Sequence, residues 1–467
     1  MKKFQKIQLN KEDKEHLYIQ LYKNIESMIH AGELKAGDKL PPIRKIAKGL
    51  EVNNSTIVNA YKLLEDKGLV LKKAGSGTYI KGDEYEELPE DGVLNFASGS
   101  PHQDIFPVEE FKVLLNKVLD RDGGRAFQYD DTKGYYNLRK AIKESGFQNI
   151  AIEKIQIISG AQQGLDIISK SILNPSDTIV VESPTYSGAI ELFKSNGCNI
   201  VEVALHEDGL DIERLEKVLS KNNVKMFYTN TNFQNPTGYC YSKEKIDKIL
   251  HLAEKKDFFI IEDDYSSELN YYGKDIYNFL HRDKNDRVLY VKSFSKLFVP
   301  GIRLGYMISP DIFIDEILFA KHISDISTSG LIQRTFELYI KEGLWDKRLD
   351  LTLENYKERY EKVISILSKN LPKEVSFHEP RGGLHIWIGL PNGYSTDQLY
   401  KRLRDKDILI APGSSFKMNR KPSNYFRLSF STMSDELMEE GLKVIIEEII
   451  DFISFDLNIN SRLTESL

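Results

Sequence analysis

Apolar residues recur at helical spacing along the first 82 positions. Leu17, Leu21, Ile25, Met28 and Ile29 fall at i, i+4, i+8, i+11 and i+12, which predicts an amphipathic helix ended by Gly32. Pro42 is suited to open a second helix with Ile43, Ile46, Ala47 and Leu50 on its inner face. Asn53 is suited to cap a third that carries Ile57, Ala60, Tyr61 and Leu64. Two short helices joined through Gly49 to Asn53 predict a helix-turn-helix. "LVLKKAGSGTYI" then reads as two strands around Gly75-Ser76-Gly77, a hairpin whose glycines accept positive φ. Helix, helix-turn-helix and basic hairpin together predict a winged helix over residues 1–82.

Beyond it the pattern changes. "GDEYEELPEDG" is acidic, holds a central proline and lacks apolar periodicity, so residues 83–92 read as an exposed linker. From residue 93, short β-rich runs alternate with helical patterns: "IQIIS" (155–159), "TIVVES" (178–183), "NIVEVAL" (199–205), "VKMFYTN" (224–230), "FFIIE" (258–262), "RVLYVKS" (287–293) and "LGYMIS" (304–309). Most intervals are long enough for a crossover helix, which predicts an α/β domain with a mainly parallel sheet over residues 93–455. Residues 456–467 read as a frayed tail.

Composition adds an asymmetry. The chain of 467 residues has a net charge of -6, yet residues 1–82 hold 16 Lys and Arg against 9 Asp and Glu, and the remainder holds 48 against 61. A basic head on an acidic body suggests that polyanion binding belongs to the head. Only two cysteines occur, Cys198 and Cys240, which excludes a disulfide framework and suits a reducing compartment. Neither has metal-ligand spacing, so no metal site is expected. No run approaches the length of a membrane span and the start lacks a signal-peptide core, so a cytoplasmic protein is expected.

The candidate chemistry lies at the carboxyl ends of the strands, where open α/β sheets gather their ligands. Gly160-Ala161-Gln162-Gln163-Gly164 follows "IQIIS" and enters a helix, a turn that can seat a phosphate on backbone N–H groups. Tyr186 follows "TIVVES", Asn235 follows "VKMFYTN", and Asp263, Asp264 and Tyr265 follow "FFIIE". Ser293, Ser295, Lys296 and Arg303 follow "RVLYVKS". Singly, these have plain readings as connections, rim residues, helix caps and solvated charges. Together they offer phosphate donors, a flat ring, an amide, a carboxylate and an amine.

Two resemblances follow from these motifs. "LPPIRKIAKGLEVNNSTIVNAYKLLEDKG" with "GSGTYI" resembles the GntR-type winged helix. That resemblance implies double-stranded DNA as partner, with Arg44 on phosphate, Asn54, Ser55, Thr56 and Asn59 in the major groove, and Lys72, Lys73 and Gly77 placing the wing. Many relatives carry arginine where Asn54 stands, and asparagine favours adenine where arginine favours guanine. "SGAQQ", "NPTG", "EDDY", "SFSK" with "R.G", and "FRLSFS" resemble the class I and II aminotransferases of fold type I. This implies a large α/β domain with a smaller C-terminal α+β subdomain, and pyridoxal 5'-phosphate as cofactor.

By that resemblance Lys296 forms the Schiff base, Asp263 pairs with the pyridinium nitrogen, and Asn235 and Tyr265 bond the phenolic oxygen. Lys296, Asp263 and Tyr265 are then the catalytic set. Tyr186 stacks on the ring, Ser293, Ser295, Arg303 and the backbone of Ala161 and Gln162 hold the phosphate, and Arg427 binds a substrate carboxylate. "FQYDDTKGYYNLRKAI" resembles the segment whose tyrosine reaches the neighbouring subunit's phosphate, which implies a homodimer with Tyr129 shared between sites; Asp130 stands where glycine is usual. The fusion resembles the MocR-like regulators, and implies a transcription factor sensing pyridoxal phosphate or an amino compound through an imine at Lys296. A working aminotransferase with an accessory head, and a cofactor-dependent structural dimer on DNA, stand beside it. The GABA-responsive members carry an arginine where Gly188 stands, so GABA is not implied.

Overall fold

A computed structural model of the chain describes residues 4, 7, 9, 10, 15–30, 34, 38–67, 69–73, 77–80 and 92–464. Gly32, the hairpin tip 74–76 and linker residues 83–91 lie outside the described residues. The chain divides into two compact units, Met1–Asp91 and Gly92–Leu467.

In the first unit, helices α1 (Leu17–His30), α2 (Ile43–Leu50) and α3 (Asn54–Asp66) precede an antiparallel hairpin of β1 (Val70–Lys73) and β2 (Gly77–Ile80). Leu21, Ile25, Ile46, Ala47, Ile57, Ala60, Tyr61, Leu64, Val70 and Ile80 form its buried core. The Tyr61 hydroxyl donates to the Pro41 carbonyl at 2.9 Å and ties α3 to the start of α2. Two expectations change. Ile43 is 36% exposed, because it is the first residue of α2 and the buried stripe begins one turn later at Ile46. Asn53 occupies the cap position of α3 without a side-chain cap bond, and its carbonyl accepts the Thr56 N–H instead. Gly77 has φ +129°, and a Cβ there would stand 2.7 Å from the Lys39 side chain, so the position requires glycine.

The second unit opens with β3 (Leu94–Asn95), α4 (Val108–Asp122) and α5 (Tyr136–Glu144). An eight-stranded sheet follows, built from β4 (Ile155–Ile158), β5 (Thr178–Ser183), β6 (Asn199–His206), β7 (Gly209–Leu210), β8 (Val224–Thr229), β9 (Phe259–Asp264), β10 (Val288–Ser293) and β11 (Gly305–Ile308). The order is β4-β11-β10-β9-β8-β5-β6-β7. Strands β10, β9, β8, β5 and β6 are parallel, while β11 runs antiparallel to both neighbours and β7 antiparallel to β6. Strands β4, β5, β8, β9, β10 and β11 are buried almost throughout on both faces, which explains their mainly apolar residues, whereas β6 keeps exposed positions. Ile179, Val181, Met226, Tyr228, Ile261 and Val291 pack on one side with α6 (Ala161–Ile172) and α7 (Ser187–Ser195). Val180, Phe227, Ile260, Val288 and Tyr290 belong to the larger core on the other.

A helix at Leu344–Asn370 leads to the smaller subdomain. There β12 (Ser376–Phe377), β13 (His385–Gly389), β15 (Ala411–Pro412) and β16 (Tyr425–Ser429) make an antiparallel sheet, while β14 (Ile408–Leu409) pairs with β3 from the start of the unit. The last helix, Asp435–Thr464, continues through residues expected to fray from Asp456. Ile449, Phe452 and Ile453 fix its preceding turns in the core, and no Pro or Gly interrupts residues 454–464.

Candidate functional site

Strand alternation decides which side chains meet. Side chains along a strand point to opposite faces in turn, so Asp263 shares the face of Ile261, and Ser293 that of Val291. Asp264 and Lys292 take the other face. Tyr228 of β8 lies on the Asp263 side, and its hydroxyl donates to Asp263 Oδ2 at 2.7 Å. Asn230 Nδ2 donates to the Asp263 carbonyl at 2.9 Å. Asp263 Oδ1 is buried with no hydrogen-bond partner, and burial pushes the carboxyl up to about 6.

A cup forms beside it. Gly160 takes φ +91°, and a Cβ there would lie 2.7 Å from the Arg303 guanidinium. Arg303 Nη2 donates to the Ser159 carbonyl at 3.3 Å, so the guanidinium closes over the turn that starts α6. In that first turn Gln163 N–H and Gly164 N–H already reach the Gly160 carbonyl. Ala161 and Gln162 N–H are the groups a helix start leaves for an anion. Ser293 Oγ accepts from the Ser295 N–H at 3.2 Å, and Ser295 Oγ is buried without a partner.

Lys296 stands in the turn after β10, half-buried. Burial first, and then the Arg427 and Arg303 charges, lower its amine to about 8. Arg427 on β16 donates to Asn235 Oδ1 at 2.6 Å and to the Ala97 carbonyl, so the two subdomains meet at this guanidinium. Tyr265 donates to the Phe233 carbonyl in the loop that carries Asn235. The Tyr186 hydroxyl donates to Gln162 Oε1 at 3.2 Å, and its ring lies on Gly188, where a Cβ would come within 2.4 Å. Gly188 thus makes room for this ring position.

Tyr129 is not among these residues. It is 80% exposed, and among the described residues no hydrogen bond, ion pair or ring contact joins it to the cup. The Asp130 carboxylate pairs with Arg334 at 2.8 Å, which fixes the loop where glycine was expected.

Sequence reasoning passed over two buried polar centres. Glu182 of β5, fully buried, accepts from Thr229 Oγ1 at 2.5 Å, Tyr241 OH at 2.8 Å and Gln234 Nε2 at 2.9 Å. Gln234 also donates to the Pro184 carbonyl at 2.9 Å, so the pair ties the loop bearing Tyr186 to the loop bearing Asn235. A lone glutamate inside "TIVVES" was the available signal. On the opposite face from Asp263, Lys292 Nζ pairs with Asp264 at 3.0 Å and Glu268 at 2.5 Å, both contacts out of the cup. That pairing engages Asp264 with Lys292, whereas Asp263 keeps one buried carboxylate oxygen without a hydrogen-bond partner.

On the head, Arg44 of α2 is exposed, as are Asn54, Ser55 and Asn59 of α3 and Lys72 of β1; Thr56 and Gly77 are half-buried. The Lys73 side chain lies outside what is described.

A mainly parallel α/β domain whose lysine, aspartate and anion cup converge at the strand ends, with an antiparallel subdomain supplying an arginine, defines the architecture of fold-type I aminotransferases, here following a winged helix. Residues 91–445 match the family "Aminotransferase class I and II", and the chain belongs to it; residues 17–80 match "Bacterial regulatory proteins, gntR family". The chain is 34% identical over 366 residues to aromatic-amino-acid aminotransferase 1 of Thermococcus litoralis, covering 76% of this chain and 88% of that protein. It is 28% identical over 452 residues to the uncharacterized HTH-type transcriptional regulator YcxD of Bacillus subtilis, covering 92% of this chain and 99% of the relative. The crystal structure of LysN, the alpha-aminoadipate aminotransferase of Thermus thermophilus complexed with N-(5'-phosphopyridoxyl)-L-leucine, is similar with a TM-score of 0.74 and 30% identity, covering 78% of this chain and 94% of that one.

Proposed function

We propose that the chain is a cytoplasmic, DNA-binding transcription regulator that holds pyridoxal 5'-phosphate in the cup and responds to that cofactor or to a small amino compound. The observation that carries the reading is one chain joining a winged helix with an outward polar third helix to a cup whose buried groups fit the cofactor. A relative named as a regulator aligns with both parts over nearly its whole length. The fit rests on Asp263 Oδ1 and Ser295 Oγ, buried and unpartnered, on the Ala161 and Gln162 N–H groups, and on the lowered Lys296 amine.

When bound, pyridoxal phosphate supplies an aldehyde carbon that captures amines and a ring that withdraws electrons. Lys296, part neutral near pH 8, is the attachment point. Asp263 Oδ1, buried and unpartnered, would hold the protonated ring nitrogen, and that charge would favour the ionised carboxylate. Ser293, Ser295, Arg303 and the Ala161 and Gln162 N–H groups would hold the phosphate, and Tyr186 would lie against the ring. Asn235 and Tyr265 would hold the phenolic oxygen; in this structure the Tyr265 hydroxyl donates to the Phe233 carbonyl. Arg427 takes the carboxylate of an amino compound with a planar fork that lysine lacks. Tyr129 of a second copy completes the phosphate site, which makes a homodimer with shared sites. On the head, Arg44, Lys72, Lys73 and Gly77 hold the DNA backbone, and Asn54, Ser55, Thr56 and Asn59 face the major groove. Ligand control then requires different affinities for two states of the dimer.

A second reading as an aminotransferase is favoured by the joint presence of Lys296, Asp263 and Arg427. A paired assay separates them: binding of the full-length protein to its own promoter region, with and without cofactor and amino acids, beside multiple-turnover transamination. The regulator reading expects promoter binding that changes with these ligands. Turnover of roughly 1 per second or more without promoter binding refutes it.

A further inference from the structure

Among the described residues of α3, Val58 is an exposed apolar side chain. The third helix buries Ile57, Ala60, Tyr61 and Leu64, and this stripe fixes which way the remaining positions point. Asn54, Ser55, Val58, Asn59 and Lys62 are all exposed. Residues 55, 58, 59 and 62 are spaced by three, four and seven, so they share one outward face with Val58 at its centre. Val58 is 45% exposed and is not part of the head's apolar core or of the partly buried residues packed on it. Valine is a poorer helix former than alanine, and its isopropyl group gains nothing from water. Val58 therefore adds little to the packing of the head's own core.

Resting on the reading of α3 as the recognition helix, we propose that Val58 is a specificity-determining residue that reads the 5-methyl group of a thymine in the major groove. It is the fifth residue of α3, within the N-terminal part that such a helix presents to base edges. In that groove thymine alone shows an apolar group, and aliphatic side chains are its natural contact. The neighbours Asn54, Ser55 and Asn59 have hydrogen-bonding groups for the adjoining base edges, and Lys62 supplies a charge for phosphate. Val58 is the member of this face with neither a donor nor an acceptor in its side chain.

The test uses the full-length protein and duplexes selected from a random pool by that protein. Each thymine of the selected duplex is replaced in turn by deoxyuridine, which removes only the methyl group, and affinity is measured by fluorescence anisotropy at fixed salt. Loss of one buried methyl is expected to weaken binding about fourfold at one position of a half-site. Val58→Ala, which loses both γ-methyls, should bind with the same salt dependence but lose most of the deoxyuridine sensitivity there, and Val58→Thr, which keeps one γ-methyl, should retain more of it. Val58 is exposed, so both variants are expected to fold, checked by helical circular dichroism. No deoxyuridine-sensitive position, or sensitivity unchanged in Val58→Ala, overturns the inference while leaving the DNA-binding reading intact. Absence of any salt-dependent DNA binding overturns both.

Discussion

The lowered amine of Lys296 yields the most direct quantitative test of the cup. An ordinary lysine near 10.5 is about 0.03% neutral at pH 7, whereas one near 8 is about 9% neutral, a ratio of about 300. The neutral amine is the attacking species, so attachment of pyridoxal phosphate to cofactor-free protein should rise with pH to a midpoint near 8 and then level off. The assay mixes stripped protein with pyridoxal phosphate from pH 6 to 10, traps the attached cofactor with borohydride, and quantifies Lys296 by peptide mass spectrometry. Exposed lysines in the same digest are the internal reference, their labelling still climbing at pH 10. Burial is the first cause of the shift and the Arg427 charge the second. Arg427→Gln should therefore move the midpoint upward while keeping some of the depression. A wild-type midpoint near 10.5, or a midpoint unmoved by Arg427→Gln, refutes the electrostatic account of the cup.

Two further expectations concern the network behind the cup and the wing. Burial raises Glu182 from its ordinary 4.5 to about 7, so its stabilising contribution is fully present below about 4.5 and is lost as pH rises through about 7. The wild type should gain about 2 kcal/mol more than Glu182→Gln on acidification from pH 7.5 to 5.5, read from urea midpoints, and equal pH slopes would refute the assignment. Replacing Lys72 and Lys73 by alanine should weaken binding to all DNA sequences alike and reduce the log-log salt slope by up to about 0.9 per lost phosphate contact, whereas an unchanged slope places the wing off the DNA.

The period of the apolar pattern determined the elements. All seven strands read from residue 155 onward are present within a residue or two of their expected ends, because most are buried on both faces and so are mainly apolar. The inner face of α3 was equally legible, since Ile57, Ala60, Tyr61 and Leu64 are fixed by helical spacing alone. The residues at the strand ends were legible one by one as motifs, and the fold brings Asp263, Ser295, Arg303 and Arg427 toward one region.

Contacts between distant segments were not legible. Spacing cannot tell Asp263 from Asp264; the sheet does, by turning one to Tyr228 and burying the other against Lys292. Neither could it show that Glu182 joins two loops through Gln234, or that β3 closes onto β14 more than three hundred residues later. Local sequence carries propensity and periodicity. Which buried polar group meets which partner is a property of the packed sheet, where a buried carboxylate without hydrogen-bond donors is costly. The lysine of "SFSK" is a charge in the sequence; burial, with the Arg427 and Arg303 charges, is what lowers its amine to about 8.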